Sequence, residues 1–538
     1  MSHGLVTPGA TVGERAAAAI ADPGLQRALR NLDTRRYTAR AVAEGMPERK
    51  DRSAAIRRET LADLEGWVQR ASGALTREGA HVHRAATPAD VNRIVIDIAQ
   101  AAGLTRVIKS KSMATEEVDL VDALEAAGIA AVETDLGEYI VQVADERPSH
   151  MITPAIHKTV DQIAELLSRV TGETLPADHE AITEWARTRL REEFLRGDLG
   201  ITGANFVTAD TGTIVIVTNE GNADLCTLIP RVHIAVVPVE KVIPRLSDLA
   251  DLLPVLTRSA TGQDISNYLT MVTGPRREGE LDGPEELHVV FLDHGRLALV
   301  GTEYEDMLAC IRCGACLNVC PVFRRISGHA YAAVYTGPMG KILTPLLSAT
   351  GEDGRELPGA STLCGACAEA CPVEIPLVDL LVRLRADLRT PGPVSPRASA
   401  GGQVGTHPLG VTPAPAEARR PGEGMATAAN ATPLRLARHS SRPWSWWAAA
   451  WSFPRGYRVS ARIVAGAASV IAPRRRSHAR SDARSEARSE AGADVASAVR
   501  WSSRAWLGTR GWTASRDLPL PSARAFRDHW RDREAEGW

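Results

Sequence analysis

The chain contains no apolar run long enough to cross a bilayer. Its longest, IVAGAASVIA at 463–472, falls well short of the ~20 residues that a spanning helix needs. A basic start followed by an apolar core is also missing, so MSHGLVTPGATVGERAAAAIADPG is not read as a signal peptide, and the expected location is the cytoplasm. There is no Gly-rich dinucleotide fingerprint, no P-loop and no GxSxG elbow, so no motif marks a flavin, a nicotinamide or a hydrolase nucleophile. Aromatic residues make up only 4%. The net charge of −2 gives no bulk attraction to nucleic acid or to a membrane surface.

That small net charge hides an asymmetry. Lysine is absent from 391–538, which holds 23 Arg and 11 Asp plus Glu, or +12, and leaves −14 on the rest. Nine of the 11 Trp also fall in this tail. At 538 residues the chain exceeds what one core supports, about 250–300 residues.

Residues 1–95 are Ala- and Arg-rich with helical spacing, as in AAIRRETLADLEGWVQRASGAL, and are expected to form a helical N-terminal layer. Residues 96–300 are expected to form an α/β domain. A strand at Arg106–Ile108 leads through a polar loop to a helix capped by Thr115, with Glu116 and Glu117 in its first turn and Gly128 closing it. A strand at Ala130–Glu133 follows, which makes a βαβ unit and therefore a parallel sheet. A helical stretch is expected over about 155–197. GTIVIVTNEGN (212–222) and RVHIAVVPVEKVI (231–243) read as buried parallel strands. ELHVVFLDHGRLALV (286–300) reads as two strands around a turn at Asp293–Gly295. The segments of 301–389 look helical between cysteines. Residues 390–440 read as a flexible linker, and 441–538 as an Arg/Trp-rich region with a disordered mixed-charge stretch at 477–493.

Cysteine carries the chemistry. Seven of the eight lie between 310 and 371, and the eighth is Cys226. In a long chain without an export signal, such clustering points to metal ligation and not to disulfides. CIRCGACLNVCP places Cys310, Cys313, Cys316 and Cys320 in the C-x2-C-x2-C-x3-C-P pattern of two-cluster ferredoxins. Three thiolates there wrap one cubane, and the fourth ligates the other cluster. CGACAEACP repeats the last three positions with Cys364, Cys367 and Cys371. The same rule assigns Cys310, Cys313, Cys316 and Cys371 to cluster one, and Cys320, Cys364 and Cys367 to cluster two. Two [4Fe–4S] clusters are expected. One corner of the second has no cysteine, because Ser361 stands where the pattern has one. A Ser361 alkoxide, water or substrate, a [3Fe–4S] cluster, and Cys226 all remain as answers. Zinc also takes C-x2-C pairs, but the x3-C-P endings are not zinc spacing.

CIRCGACLNVCPVFRRISGHAYAAVYTGPMGKILTPLL and LCGACAEACPVEIPLVDLL resemble lactate utilization protein B, the iron–sulfur subunit of a three-part lactate oxidation system. KSKSMATEEVDL, ETDLGEYIVQ, PSHMITPAIHK, GITGANFVTADTGTIVIVTNEGN and HVVFLDHGRLAL extend the likeness over roughly 55–390, and WTASRDLPLPSARAFRDHW resembles the family's C-terminal end. The resemblance implies a lactate-utilisation domain of the ribose-phosphate isomerase/CoA-transferase type followed by a helical dicluster ferredoxin-like module. It also implies oxidation of L-lactate to pyruvate with two partner subunits and an unidentified electron acceptor. A three-cysteine second motif is itself the family's pattern. Two rival functions are a hydro-lyase using the open iron as a Lewis acid, and a redox-sensing carboxylate-binding module.

Lys109, Lys111 and Ser112 follow a strand where parallel α/β domains bind anions. Asn219 and Glu220 follow another strand, and these five residues are the substrate-binding candidates. His150, His157, His233 and His329 are read as structural.

Overall fold

The computed structural model describes residues 9–31, 46–348, 353–389 and Val394. Apart from Val394, the expected linker at 390–440 and the tail at 441–538, with its stretch at 477–493, lie outside the described residues.

The central sheet grows from strands whose two faces are both covered. Strand β7 (Val232–Pro238) is buried at all seven positions, and β10 (Glu286–Leu292) at every position after the first. Alternate residues of β7 serve different cores. Ala235 and Val237 face one that includes Leu61, Val68 and the cysteine-bearing region, while Ile234 and Val236 face Val91, Val95 and Leu124. Such double burial explains why both strands read as near-continuous apolar runs, broken within only by His233 and His288. With β1 (His81–Ala85), β2 (Arg106–Lys109), β3 (Ala130–Glu133) and β4 (Leu199–Thr202), they form a six-stranded, wholly parallel sheet in the order β1-β10-β7-β4-β2-β3.

The helices around it carry clear start and stop signals. Thr87 and Asp90 form a capping box for Pro88–Ala101, and Thr159 with Gln162 does the same for Val160–Thr171, which ends at Gly172 with φ 74°. Gly200 in β4 permits a close approach, since a Cβ there would lie 1.9 Å from the Cys226 carbonyl oxygen.

Several sequence expectations are corrected. The N-terminal layer includes one strand, β1, whose polar HVHRA pattern reflects its place at the sheet edge. Thr115 does not cap a helix. A short helix, Met113–Glu117, starts after Ser112, and Asp119 at φ 49° breaks the chain before Leu120–Ala126. The stretch at 155–197 is two helices, Val160–Thr171 and His179–Arg196. The run at 212–222 holds β6 (Ile214–Thr218), which is antiparallel to β5 (Phe206–Thr208) and β9 (Tyr268–Val272). These strands form a second, four-stranded sheet with β8 (Val242–Ile243). After Asp293 there is one 3-10 turn, Leu297–Leu299, and no second strand, because the fully buried Arg296 turns the chain inward.

The cysteine-bearing region follows as short helices, Ala315–Val319, Phe323–Ile326, Gly337–Leu347, Ala366–Glu369 and Leu377–Asp387. It is keyed to the α/β part by buried polar groups. Arg57, 1% exposed, donates to the carbonyls of Val242 (3.0 Å), Ala309 (3.2 Å), Leu308 (3.2 Å) and Glu240. Arg296 donates to Glu117 at 2.8 and 2.6 Å and sits 2.7 Å from Glu240. Glu240 in turn accepts from Arg312 at 2.8 Å.

Candidate metal centre

The two cysteine motifs meet where Ala315–Val319 packs beside Ala366–Glu369. Cys310, Cys313, Cys316 and Cys371 line one small, largely apolar cavity with Met151, Ile311, Met339 and Ile375. Cys371, which belongs to the second motif in sequence, therefore stands with the first three cysteines in space. Cys320 and Cys364 act electrostatically on Cys367, so those three form the other group.

The residues present fit iron–sulfur clusters. Backbone N–H groups aim at the sulfurs, from Ala315 to Cys313, from Met339 to Cys316, and from Ile375 to Cys371 at 3.4 Å. Burial pushes the Cys371 thiol up to about 11, and those of Cys313 and Cys316 higher still. Thiols so disfavoured as free thiolates are suited to a cation that takes their protons' place. Among the described residues, no three of these sulfurs come within 4.8 Å of one another. The ligands of one zinc, each about 2.3 Å from the ion, would stand inside that limit. Gly314 turns the first loop at φ 75°, where a Cβ would press on Ile152 at 3.2 Å. Buried Lys341 has its Nζ 4.0 Å from Cys320 Sγ and also feels Cys367 and Cys316, which places one cation between the two groups. Cys226 is elsewhere, buried under the α/β sheet against Thr134 Oγ1 at 3.5 Å.

Beside the first group lies a cavity of about 320 Å³ at the C-terminal ends of β2, β3, β4 and β7. Lys111, Ser112, Asn219 and Glu220 all line it. Lys111 donates to the Ile152 carbonyl at 2.8 Å and stands 3.8 Å from Asp135. Asn219 is engaged in holding the loop beyond it, through Gln263 at 2.7 Å and Asn267 at 3.2 Å. Lys109 is not on the cavity wall. It is fully buried, bonded to Glu133 at 2.5 Å and Glu116 at 3.1 Å, and its charge is spent on those carboxylates.

Among the wall residues that escaped the sequence reading are Lys241, Arg312 and Tyr335. Arg312 sits between two cysteines of the first motif. Its Nη2 pairs with Glu240, while Nη1 is buried with no hydrogen-bond partner among the described residues. Burial and then the neighbouring Arg312 pull the Lys241 ammonium down to about 7. An arginine inside CIRC was the one visible signal, since a charged side chain there must leave the cluster loop for some partner.

The four histidines are engaged within the protein. His150 Nδ1 accepts from Ile152 and Thr153 N–H at 3.0 and 3.2 Å, and His233 pairs with Thr202 at 2.8 Å. His157 meets Glu146 at 2.6 Å, and His329 meets the Arg147 carbonyl at 2.7 Å. Glu146 is also neutralised by Lys158 at 2.6 Å.

Comparison with known proteins agrees with this architecture. The LUD domain model matches residues 68–292, and the 4Fe-4S dicluster domain model matches 306–375. Lactate utilization protein B of Geobacillus kaustophilus (strain HTA426) is 47% identical over 331 residues, 61% of this chain and 69% of that one. Its namesake in Geobacillus sp. (strain WCH70) is 45% identical over 355 residues, 66% of this chain and 74% of the other. An uncharacterized electron transport protein of Escherichia coli (strain K12) is 45% identical over 338 residues, 63% and 71% of the two chains. No helix among the described residues is long and apolar enough to cross a membrane.

Proposed function

Because the chain belongs to the lactate utilization protein B family, we propose that it is the iron–sulfur electron-transfer component of a complex that oxidises L-lactate to pyruvate. Two partner subunits and a separate electron acceptor complete that complex. The observation that carries this reading is the cross-wise grouping of cysteines, Cys371 with the first motif and Cys320 with the second. It brings two cluster sites to neighbouring positions, as a short path for electrons requires. When bound, two [4Fe–4S] clusters supply single-electron transfer, and lactate oxidation releases two electrons with two protons.

The chain's own residues prepare the path. The apolar lining keeps water from the first site, and Lys341 offsets charge between the two. The cavity at the sheet edge is the proposed seat of the acid, with Lys111, Ser112, Lys241 and Arg312 among its lining. A carboxylate there would satisfy Arg312 Nη1, which a buried guanidinium nitrogen strongly favours.

Low-temperature EPR tests the reading. The full chain, reconstituted without oxygen and mixed with its two partner subunits, is expected to show a reduced-cluster signal on addition of L-lactate. Fewer than about seven bound irons, or a spectrum that lactate leaves unchanged, would sink it. Lys241→Met tests the cavity. It is expected to raise the lactate KM of the complex by about tenfold or more, from the loss of one buried charge contact, with iron content unchanged. An unaltered KM would move the acid to another subunit.

A further inference from the structure

The second cysteine loop repeats the first in conformation as well as in sequence. In Cys310-Ile311-Arg312-Cys313-Gly314-Ala315-Cys316, positive φ occurs at Arg312 (60°) and Gly314 (75°). In Ser361-Thr362-Leu363-Cys364-Gly365-Ala366-Cys367, it occurs at Leu363 (54°) and Gly365 (86°). Leucine and arginine rarely adopt this region, so two loops that share it at the same positions hold the same shape. Ser361 thus occupies in the second loop the place that Cys310, a cluster ligand, has in the first.

The Ser361 side chain is folded over its own loop, its Oγ accepting from the N–H of Leu363, the residue before Cys364, at 3.3 Å. The loop is clamped from behind, since Arg385 donates to the carbonyls of Ser361 and Pro358, both at 2.8 Å. Cys364 beside it is exposed, and Ser361 is half-buried, so this corner lies at the protein surface.

We infer that Ser361 Oγ is the fourth ligand of the second cluster, completing the set Cys320, Cys364 and Cys367. The inference rests on the reading that this region holds two clusters. On ligation an Fe–O bond forms and the hydroxyl proton leaves to solvent, with no change in oxidation state. An alkoxide is a harder donor than a thiolate. It therefore favours the ferric state, and the serine-held iron is the one most readily lost.

The test compares wild type, Ser361→Cys and Ser361→Ala as full chains reconstituted without oxygen. Iron content, EPR and the midpoint potential of each cluster are the readouts. Wild type is expected to hold about eight irons. Ser361→Cys should keep that number and raise the potential of one cluster while leaving the other unmoved. Ser361→Ala should fall to about seven irons after mild oxidation and show a [3Fe–4S] signal that added ferrous iron removes. If Ser361→Ala retains no cluster, the potential shift in Ser361→Cys still decides. Spectra and potentials identical in all three proteins would overturn the inference, as would a wild type that already holds seven irons and a [3Fe–4S] signal. Fewer irons than that in wild type would instead remove the two-cluster reading beneath it.

Discussion

Cys371→Ala is expected to empty the first cluster site and spare the second, although Cys371 lies 51 positions beyond the last cysteine of the first motif. In space its sulfur shares a cavity with those of Cys310, Cys313 and Cys316, and the Ile375 N–H meets it at 3.4 Å. Iron content should fall from about eight to about four, since a cubane that loses one of its four cysteine ligands is left with an open iron corner. Lactate-dependent reduction of the acceptor should disappear with it. Cys320→Ala should do the opposite, removing iron from the set with Cys364 and Cys367. EPR of the two variants distinguishes them, because each should retain the signal that the other loses. Cys310→Ala identifies the signals: it should lose the same one as Cys371→Ala, whereas loss of different signals from those two would mean that each motif serves its own cluster, and the cross-ligated arrangement would be wrong.

The second large effect concerns folding. Arg296→Met is expected to destabilise the protein by about 3–5 kcal/mol, the cost of leaving a buried charge without its partner. Two carboxylates depend on this guanidinium, Glu117 through hydrogen bonds of 2.6 and 2.8 Å and Glu240 through an ion pair at 2.7 Å. Burial alone would raise the pKa of Glu117. Arg296, together with hydrogen bonds from His294 and Tyr335, reverses the sign and holds it well below the usual carboxylate range. A depressed pKa stabilises the fold at pH values above the unfolded value near 4.3 and is lost as pH falls toward the folded one. In the variant that stabilisation goes, so the thermal midpoint at neutral pH should drop by on the order of 5–10 °C. Pairing the change with Glu117→Gln should recover part of the loss. A midpoint that does not move would show that water reaches these carboxylates.

The parts of this structure that were legible in the sequence are those set by local spacing. The motif endings in x3-C-P named the cysteines, and continuous apolar runs found β7 and β10. The crossover from β2 to β3 followed from a strand, a helical pattern and a closing glycine. What failed depended on distant partners. IVIVT at 214–218 looks like a buried parallel strand, but it owes its burial to a second sheet whose other members come from 206, 242 and 268 onward. LALV after the turn has strand composition, yet Arg296 must reach Glu117, which lies 179 residues away in sequence, and that draws the chain into a 3-10 turn. Lys109 had the position of an anion ligand, and only the fold reveals Glu116 and Glu133 at its ammonium. Within the cavity, Lys111 and Ser112 stand at the C-terminal end of a parallel strand, while Asn219 and Glu220 arrive from β6 of the second sheet, so four of five candidates came together but only two for the reason the sequence suggested. Arg312 and Tyr335 reach that cavity from the cysteine-bearing region, which no pattern within the α/β segment could foretell.

The strand order β1-β10-β7 has a consequence for how the protein is made. The last strand of the sheet to be translated is not an edge. It slots between the first strand and a middle one, so β1 has no sheet partner until Glu286–Leu292 has left the ribosome. Throughout most of synthesis the nascent α/β portion therefore exposes open backbone on both flanks of that gap, the condition under which strands pair with the wrong neighbour. Joining comes late, shortly before the cysteine loops emerge, so iron is offered to a chain whose supporting sheet has only just closed.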